Sequence, residues 1–123
     1  MRFLLPFALL VPPALAADRH AEFYGTWGTP AQCAKAPIID GGTYRSAPFE
    51  IGPEWLKHGQ LYCNLSWGPI SERENGPFTI ATAKCGEDAV RDYTLGLTIS
   101  GETLDLTWDF FLRNGPLQRC PTS

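Results

Sequence analysis

Residues 60–67 read QLYCNLSW, and this stretch is the clearest structural signal in the chain. Apolar and polar residues alternate along it, so that one face carries Leu61, Cys63, Leu65 and Trp67. A period of two is typical of a strand that buries one face and leaves the other in water. We therefore predict a half-buried β-strand over residues 60–67.

The same alternation recurs on both sides of this stretch. Further strands are predicted at residues 21–28, 78–85, 93–99, 103–108 and 117–120, with a strand or bend at Trp55 and Leu56. Residues 68–77 read as a loop, 30–34 as one helical turn, and Ser100-Gly101 and Asn114-Gly115 as turns. Short strands separated by turns indicate an all-β protein, either a small antiparallel up-and-down β-barrel or an open meander. Closure into a barrel would bury the apolar face and remove exposed edges.

Four cysteines, with no C-x-x-C spacing, predict two disulfides rather than a metal site. Three pairings can be drawn. We prefer Cys63–Cys85, because antiparallel pairing of strands 60–66 and 79–85 brings these two residues together. Cys33–Cys120 would then tie the start of the domain to its end.

The N-terminus has the layout of a secretory signal. A basic start is followed by an apolar stretch and then by Ala14 and Ala16, which form a small-residue cleavage pattern. We predict a signal peptide over residues 1–16 and a single secreted β domain over 17–123. The protein is therefore expected in the periplasm or outside the cell, where disulfides persist.

Cleavage one residue later, after Ala17, is the alternative. It would place a free amine two residues before His20, an arrangement that can chelate Cu(II) or Ni(II). The favoured interpretation of His20 is a solvated residue near the N-terminus, with no metal bound.

Composition excludes several classes of protein. The 123 residues allow one domain, and a hydrophobic fraction of 44% argues against disorder. A net charge of −3 argues against nucleic acid as a partner. No apolar run beyond the N-terminus is long enough for a transmembrane segment in the mature chain.

Catalytic groups are scarce, and we predict no enzyme, no cofactor and no metal site. His58, between Lys57 and Gly59, reads as part of an exposed turn. Paired cysteines leave no thiol nucleophile, and no nucleophile, base and orienting group can be assembled. The close carboxylate pairs read as solvated: Glu72 with Glu74, and Asp105 with Asp109.

Three aromatic residues are left over once the strand faces are filled. Trp55 follows Pro53, and Phe110 and Phe111 are adjacent, so they cannot both point inward on a regular strand. Either a bulge buries both phenylalanines, or one of them is exposed. An exposed aromatic near a turn can anchor a protein partner or line the mouth of a pocket. We therefore name Trp55, Phe110 and Phe111 as candidate binding residues.

Gly25-Thr26-Trp27 at the first strand, with Arg119 in the last, resembles the calycin arrangement. In that arrangement a G-x-W strand is closed by an arginine that lies over the tryptophan. Glycine permits close approach of the backbone, and a guanidinium stacks well on an indole. The resemblance implies structural roles for Gly25, Trp27 and Arg119, and a lipocalin-like ability to carry small apolar ligands.

In length the chain is closer to the Inh-type periplasmic metallopeptidase inhibitors, which are barrels with a tail that enters the protease cleft. The resemblance implies that residues 17–24 form such a tail. That family carries one disulfide, whereas this chain predicts two. The pattern of four cysteines is also similar to that of small secreted bacterial proteins with no assigned activity.

These observations lead us to expect a non-enzymatic binding protein that acts through a protein partner, as an inhibitor of a hydrolase such as a peptidase. The alternatives are a lipocalin-like carrier of a small apolar ligand and a structural envelope protein. A filled barrel with a free segment before Phe23 would favour the inhibitor. An apolar cavity of several hundred Å³ would favour the carrier.

Overall fold

The computed structural model describes residues 19–34, 47–87 and 89–121. Within these ranges, eight antiparallel strands follow one another around a closed barrel, and the last pairs with the first. The all-β prediction is confirmed, and the barrel is the correct alternative. The predicted signal peptide (1–16) and both candidate cleavage points lie outside the described residues.

The strands are β1 (Gly25–Gly28), β2 (Phe49–Ile51), β3 (Trp55–His58), β4 (Leu61–Arg73), β5 (Gly76–Cys85), β6 (Arg91–Ser100), β7 (Thr103–Trp108) and β8 (Arg113–Arg119). A short 3₁₀ helix (Arg19–Phe23) precedes β1, and a single-turn helix α1 (Pro30–Cys33) follows it. Because each strand reverses direction, the connections alternate between the two ends of the barrel. We call the end with the 3₁₀ helix the closed end, and the end with the β3–β4, β5–β6 and β7–β8 connections the distal end.

Alternating side chains fill the barrel interior. From Thr79 to Cys85 in β5 and from Leu95 to Ile99 in β6, every second residue is buried, as the period of two predicts. The buried set is almost entirely apolar, and its fully buried leucines are Leu56, Leu95, Leu97, Leu104 and Leu106. Thr79 is the one buried polar side chain among the described residues, and its hydroxyl donates to the carbonyls of Gly68 and Pro69.

The prediction of a loop over residues 68–77 was wrong. Strand β4 continues to Arg73, and β5 begins at Gly76 after a two-residue turn. The register shifts between Trp67 and Ile70, and this bulge hides the continuation, because it breaks the alternation on which the prediction relied.

The segment before β1 is also different from the prediction. Only Gly25–Gly28 of the strand predicted at 21–28 is extended, and the preceding residues form the 3₁₀ helix. Phe23, at the end of that helix, is fully buried. His20 contacts the β4 edge through a bond of 2.7 Å between its Nε2 atom and the Gly68 carbonyl. The described part of the predicted tail is therefore packed on the barrel.

Both disulfides form as predicted. Cys63 and Cys85 lie directly opposite each other on β4 and β5. Cys33 at the end of α1 joins Cys120, just beyond β8, across 87 residues of sequence. Loop-closure entropy gives a stabilisation of about 4–5 kcal/mol for the longer bridge and about 3 kcal/mol for the shorter one.

Arg119 closes the barrel over Trp27. Its guanidinium lies 4.2 Å from the centre of the indole ring. The two terminal nitrogens donate to the carbonyls of Tyr24 and Glu22, both at 2.8 Å. The Trp27 indole N–H donates to the Phe23 carbonyl at 3.1 Å. One side chain thus ties the last strand to the first strand and to the helix that seals the closed end.

Glycine is required at position 25 by this arrangement. Its φ of +130° lies in the region that side chains rarely adopt, and a Cβ there would sit 2.8 Å from Nη1 of Arg119. Any larger residue would strain the backbone and push the guanidinium out of place.

We expect Arg119→Lys to lower the free energy of unfolding by about 2 kcal/mol, because an ammonium cannot make both carbonyl bonds and stack on the indole. Denaturant unfolding measures the effect. Arg113→Lys is the matched control, since its ion pair with Asp105 is exposed on the arginine side and should change stability by less than about 0.5 kcal/mol. Equal stabilities of the two variants would contradict this role of Arg119.

Candidate functional site

A pocket of about 380 Å³ lies at the distal end of the barrel. Apolar and aromatic side chains from β2, β3, β4, β6 and β7 supply most of its wall. The residues that line it are Phe49, His58, Leu61, Cys85, Gly86, Ala89, Arg91, Tyr93, Trp108, Phe110, Leu112 and Asn114. Its position makes it the uppermost layer of the barrel interior, above the packed core.

The strand register explains why these side chains meet. Tyr93 and Arg91 continue the inward-facing series that begins with Ile99, Leu97 and Leu95 on β6. Near the distal end the core leucines are replaced by aromatic residues and by the connections between strands. The interior is therefore filled below and concave above.

Three aromatic rings form one wall of the pocket. Tyr93 meets Trp108 edge-on at 6.2 Å and Phe110 at 5.4 Å, and the Trp108 and Phe110 rings are 5.9 Å apart. The Trp108 indole N–H donates to Oδ1 of Asn114 at 2.8 Å, which fixes both side chains. Such edge-to-face packing presents a rigid apolar surface.

His58 forms part of the opposite wall. The prediction that it lies in an exposed turn was wrong, because β3 runs through His58 and the turn begins at Gly59. Its imidazole is half-buried and stacks on Phe49, with ring centres 4.0 Å apart and planes at 11°. Leu56, two residues earlier on β3, faces the interior. A period of two then places His58 on the same inward face, and this is the sequence signal that could have located His58 in the pocket.

The electrostatic state of His58 follows from this setting. Burial lowers the pKa of the imidazole below its usual value near 6.5, and a hydrogen bond to the backbone of Ala47 opposes this shift only in part. The Nε2 atom is buried and has no hydrogen-bond partner in the structure. At neutral pH this wall of the pocket is therefore uncharged.

Of the three candidate binding residues, one lines the pocket. Phe110 is half exposed and contributes to the aromatic wall. Phe111 is 100% exposed with a φ of +64°, and it points away from the pocket lining. Of the two alternatives, the bulge that buries both is wrong, because a tight turn from Trp108 to Leu112 leaves both phenylalanines exposed.

Trp55 is not brought to the pocket. Its ring covers Gly52, where an added Cβ would come within 2.3 Å of the indole, and Lys57 lies 5.0 Å above the ring. It is half-buried near the closed end, beside the β2–β3 connection. A packing role accounts for its position there.

Other reactive groups are dispersed. Within residues 19–34, 47–87 and 89–121, no three His, Cys, Asp or Glu side chains come together as a metal site would need. Glu72 pairs with Arg19, and Asp105 with Arg113, both at 2.7 Å. Neither pair faces the pocket.

Comparisons with protein-family models, with curated proteins and with solved structures found no match to this chain. In the part of the chain that the structure describes, no helix has the length and apolar character needed to cross a membrane.

The lowered pKa of His58 predicts a specific dependence of stability on pH. Between its unfolded and folded pKa values the unfolded chain binds more protons, so the free energy of unfolding falls as pH drops below about 6.5. His58→Gln cannot take up this proton, and it retains an N–H for Ala47. Its free energy of unfolding should therefore fall less than that of the wild type as the pH drops. Denaturant unfolding at about pH 7.5 and about pH 5 measures the difference.

His20→Gln is the matched control, because His20 lies at the closed end, bonded to Gly68. It should keep the dependence of the wild type. If the free energy of unfolding of His58→Gln depends on pH as strongly as that of the wild type, the burial of neutral His58 is not the cause of this dependence.

Proposed function

We propose that this protein is a non-enzymatic binding protein that holds a small apolar ligand in the distal pocket. One observation carries the proposal: a concave, mainly apolar cavity of about 380 Å³ lies above the packed core at the distal end of the barrel. Sites for small molecules in proteins have volumes of about 300–1,000 Å³ and mainly apolar walls.

Exposure around the mouth of the pocket supports the same proposal. Leu61, Phe110 and Leu112 line the pocket and are 39%, 50% and 45% exposed. Large apolar side chains are seldom left together in water without a function. A ligand seated against them would remove this apolar area from water, and the hydrophobic effect would favour its binding.

The inhibitor hypothesis has less support in the described residues. The segment Arg19–Phe23 is engaged by buried Phe23, by the His20 contact and by the ion pair of Arg19 with Glu72. An inhibitor that inserts this segment into a protease would first have to detach it from the barrel. The structural envelope protein, the third alternative, offers no reason for the pocket.

Secretion or export to the periplasm is part of the proposal. Two disulfides are typical of proteins that fold in an oxidising compartment, and the signal-like sequence at residues 1–16 agrees with this. A carrier in such a compartment would meet its ligand outside the cytoplasm.

Adjacent phenylalanines provide a matched test. N-phenylnaphthylamine, a neutral fluorescent probe, should bind the mature protein with enhanced emission. Phe110→Ala, which removes part of the pocket wall, should weaken binding by about five- to tenfold. Phe111→Ala should leave the affinity within about twofold, because this side chain lies outside the pocket.

Fluorescence titration gives the affinities, and thermal unfolding checks that both variants are folded. Absence of probe binding to the wild type would count against the proposal. Equal weakening by the two substitutions would mean that the probe binds the exposed turn instead of the pocket.

A second candidate function is attachment to a protein partner through Phe111. A fully exposed phenylalanine with positive φ costs about 1–3 kcal/mol of backbone strain in addition to its exposed apolar area. Such strained positions cluster at functional sites. A partner that buries the ring would offset the cost of exposing it.

A photo-crosslinking residue at position 111 tests this second function in the producing cell. If Phe111 anchors a partner, it should give one discrete adduct in the compartment to which the protein is exported. The same residue at Ile80, which is 48% exposed on the outer face of the sheet, is the control and should give none. Identical adduct patterns from the two positions would reject the anchor.

A further inference from the structure

Building on the proposed function, we infer that the ligand of the distal pocket is an apolar carboxylate whose anionic group is bound by Arg91. The apolar body would lie against Trp108 and Phe110, and the carboxylate would remain at the mouth. Three features of the pocket lead to this ligand class: the register of Arg91, the remaining hydrogen-bond donor of Asn114, and the absence of carboxylates among the described lining residues.

Arg91 is the first residue of β6 and lines the mouth of the pocket at the distal end, with its side chain exposed. It pairs with Cys85 on β5, and it lies on the same face of β6 as Tyr93 and Leu95, which face the interior. Its neighbour Asp92 lies on the opposite, outer face and forms an ion pair with Lys84 there. The register therefore places a permanent positive charge at the rim of an apolar cavity.

No described carboxylate neutralises this arginine, since none lies within ion-pair distance of it. Asp92 and Asp109 border a shallow groove beside it, and each has another partner. Asp92 pairs with Lys84, and Asp109 accepts a hydrogen bond of 2.9 Å from the Thr94 N–H. The guanidinium is thus available to a ligand.

One other polar group of the lining also suits an acceptor. Oδ1 of Asn114 already accepts from Trp108, so the group that this side chain has left to offer is its N–H₂ donor. His58 is neutral at neutral pH, and because its N–H is directed to the backbone of Ala47, its Nε2 atom is an acceptor that does not contribute to binding an anion. No Asp or Glu is present among the described lining residues. A carboxylate at the mouth therefore meets the Arg91 cation and the Asn114 donor, whereas an amine would meet Arg91 with no counter-charge among the described lining residues.

The geometry also orients the ligand. Away from Arg91 the cavity is lined by the buried rings of Phe49 and Trp108, where a charged group would have no partner. An arginine can bind a carboxylate through two parallel hydrogen bonds, which defines direction as well as sign. The apolar part must then point into the barrel.

Three matched probes test this inference: naphthoate, naphthamide and naphthylmethylamine, which share one ring system and are anionic, neutral and cationic at about pH 7.5. We expect naphthoate to bind the wild-type protein roughly tenfold more tightly than naphthamide, as a charge-assisted pair at a partly exposed site would give. Naphthylmethylamine should bind most weakly. Isothermal titration calorimetry gives all three affinities.

Arg91→Gln should abolish the preference for naphthoate, to within about twofold, while naphthamide still binds. Arg91→Lys, which keeps the charge and loses the paired donors, should retain part of it. Arg113→Gln is the control, because Arg113 is engaged with Asp105 outside the pocket, and it should keep the full preference.

The outcomes separate this inference from the proposed function. If naphthamide or naphthylmethylamine binds the wild type as tightly as naphthoate, the role of Arg91 is rejected and the apolar pocket remains. If the preference survives in Arg91→Gln, another group binds the anion and the inference is wrong. If none of the three probes binds, both the inference and the proposed function fail.

Discussion

The contact between Arg119 and Trp27 holds together the weakest joint of the barrel. Every other pair of neighbouring strands is joined by a connection in the chain, whereas β1 and β8 meet only after the whole sequence has folded. Their ladder has just two paired positions, Trp27 with Arg119 and Gly28 with Gln118. A guanidinium that stacks on the indole and bonds two carbonyls supplements this short ladder, and the adjacent Cys33–Cys120 disulfide makes it covalent. Loss of this joint would leave two unpaired edges and an open sheet.

This closure explains why the two ends of the barrel differ. At the closed end Phe23 and Trp27 are buried in the interior, and the Arg119 guanidinium lies over the Trp27 ring. At the distal end no corresponding plug is found among the described residues. The positions there carry aromatic and polar side chains instead. On β6, for example, Tyr93 and Arg91 lie beyond Leu95 in the direction of the distal end. The mainly apolar pocket therefore lies at the end that is not sealed by the Arg119–Trp27 contact.

Much of the fold could be predicted because its long strands alternate regularly. Residues 78–85, 93–99 and 103–108 all lie in strands, and the alternation also led to the Cys63–Cys85 pairing.

Short strands are harder to predict. Strand β2 has three residues and β3 has four, too few to display a period, and His58 therefore reads as part of a turn. The 3₁₀ helix was missed because Phe23, Gly25 and Trp27 are spaced by two residues, as they would be on one face of a single strand. The pocket depends on which inward positions of six or more strands reach the same height, and that is a property of register that alternation alone does not give. Phe110 and Phe111 could be named together as candidates from the sequence, but which of the two lines the pocket could not.

The disulfide between Cys33 and Cys120 has a topological consequence. With the backbone between these residues, it forms a covalent ring that contains every strand from β2 to β8. A single peptide-bond cut in any connection inside the ring would yield no separate fragment, since both halves would stay linked through the sulfur atoms. All eight strands would remain in one covalent molecule as long as this disulfide stays oxidised, because β1 is attached to Cys33 through the uncut backbone. A protein built in this way is suited to surroundings rich in proteases, where one nick would otherwise dismantle it.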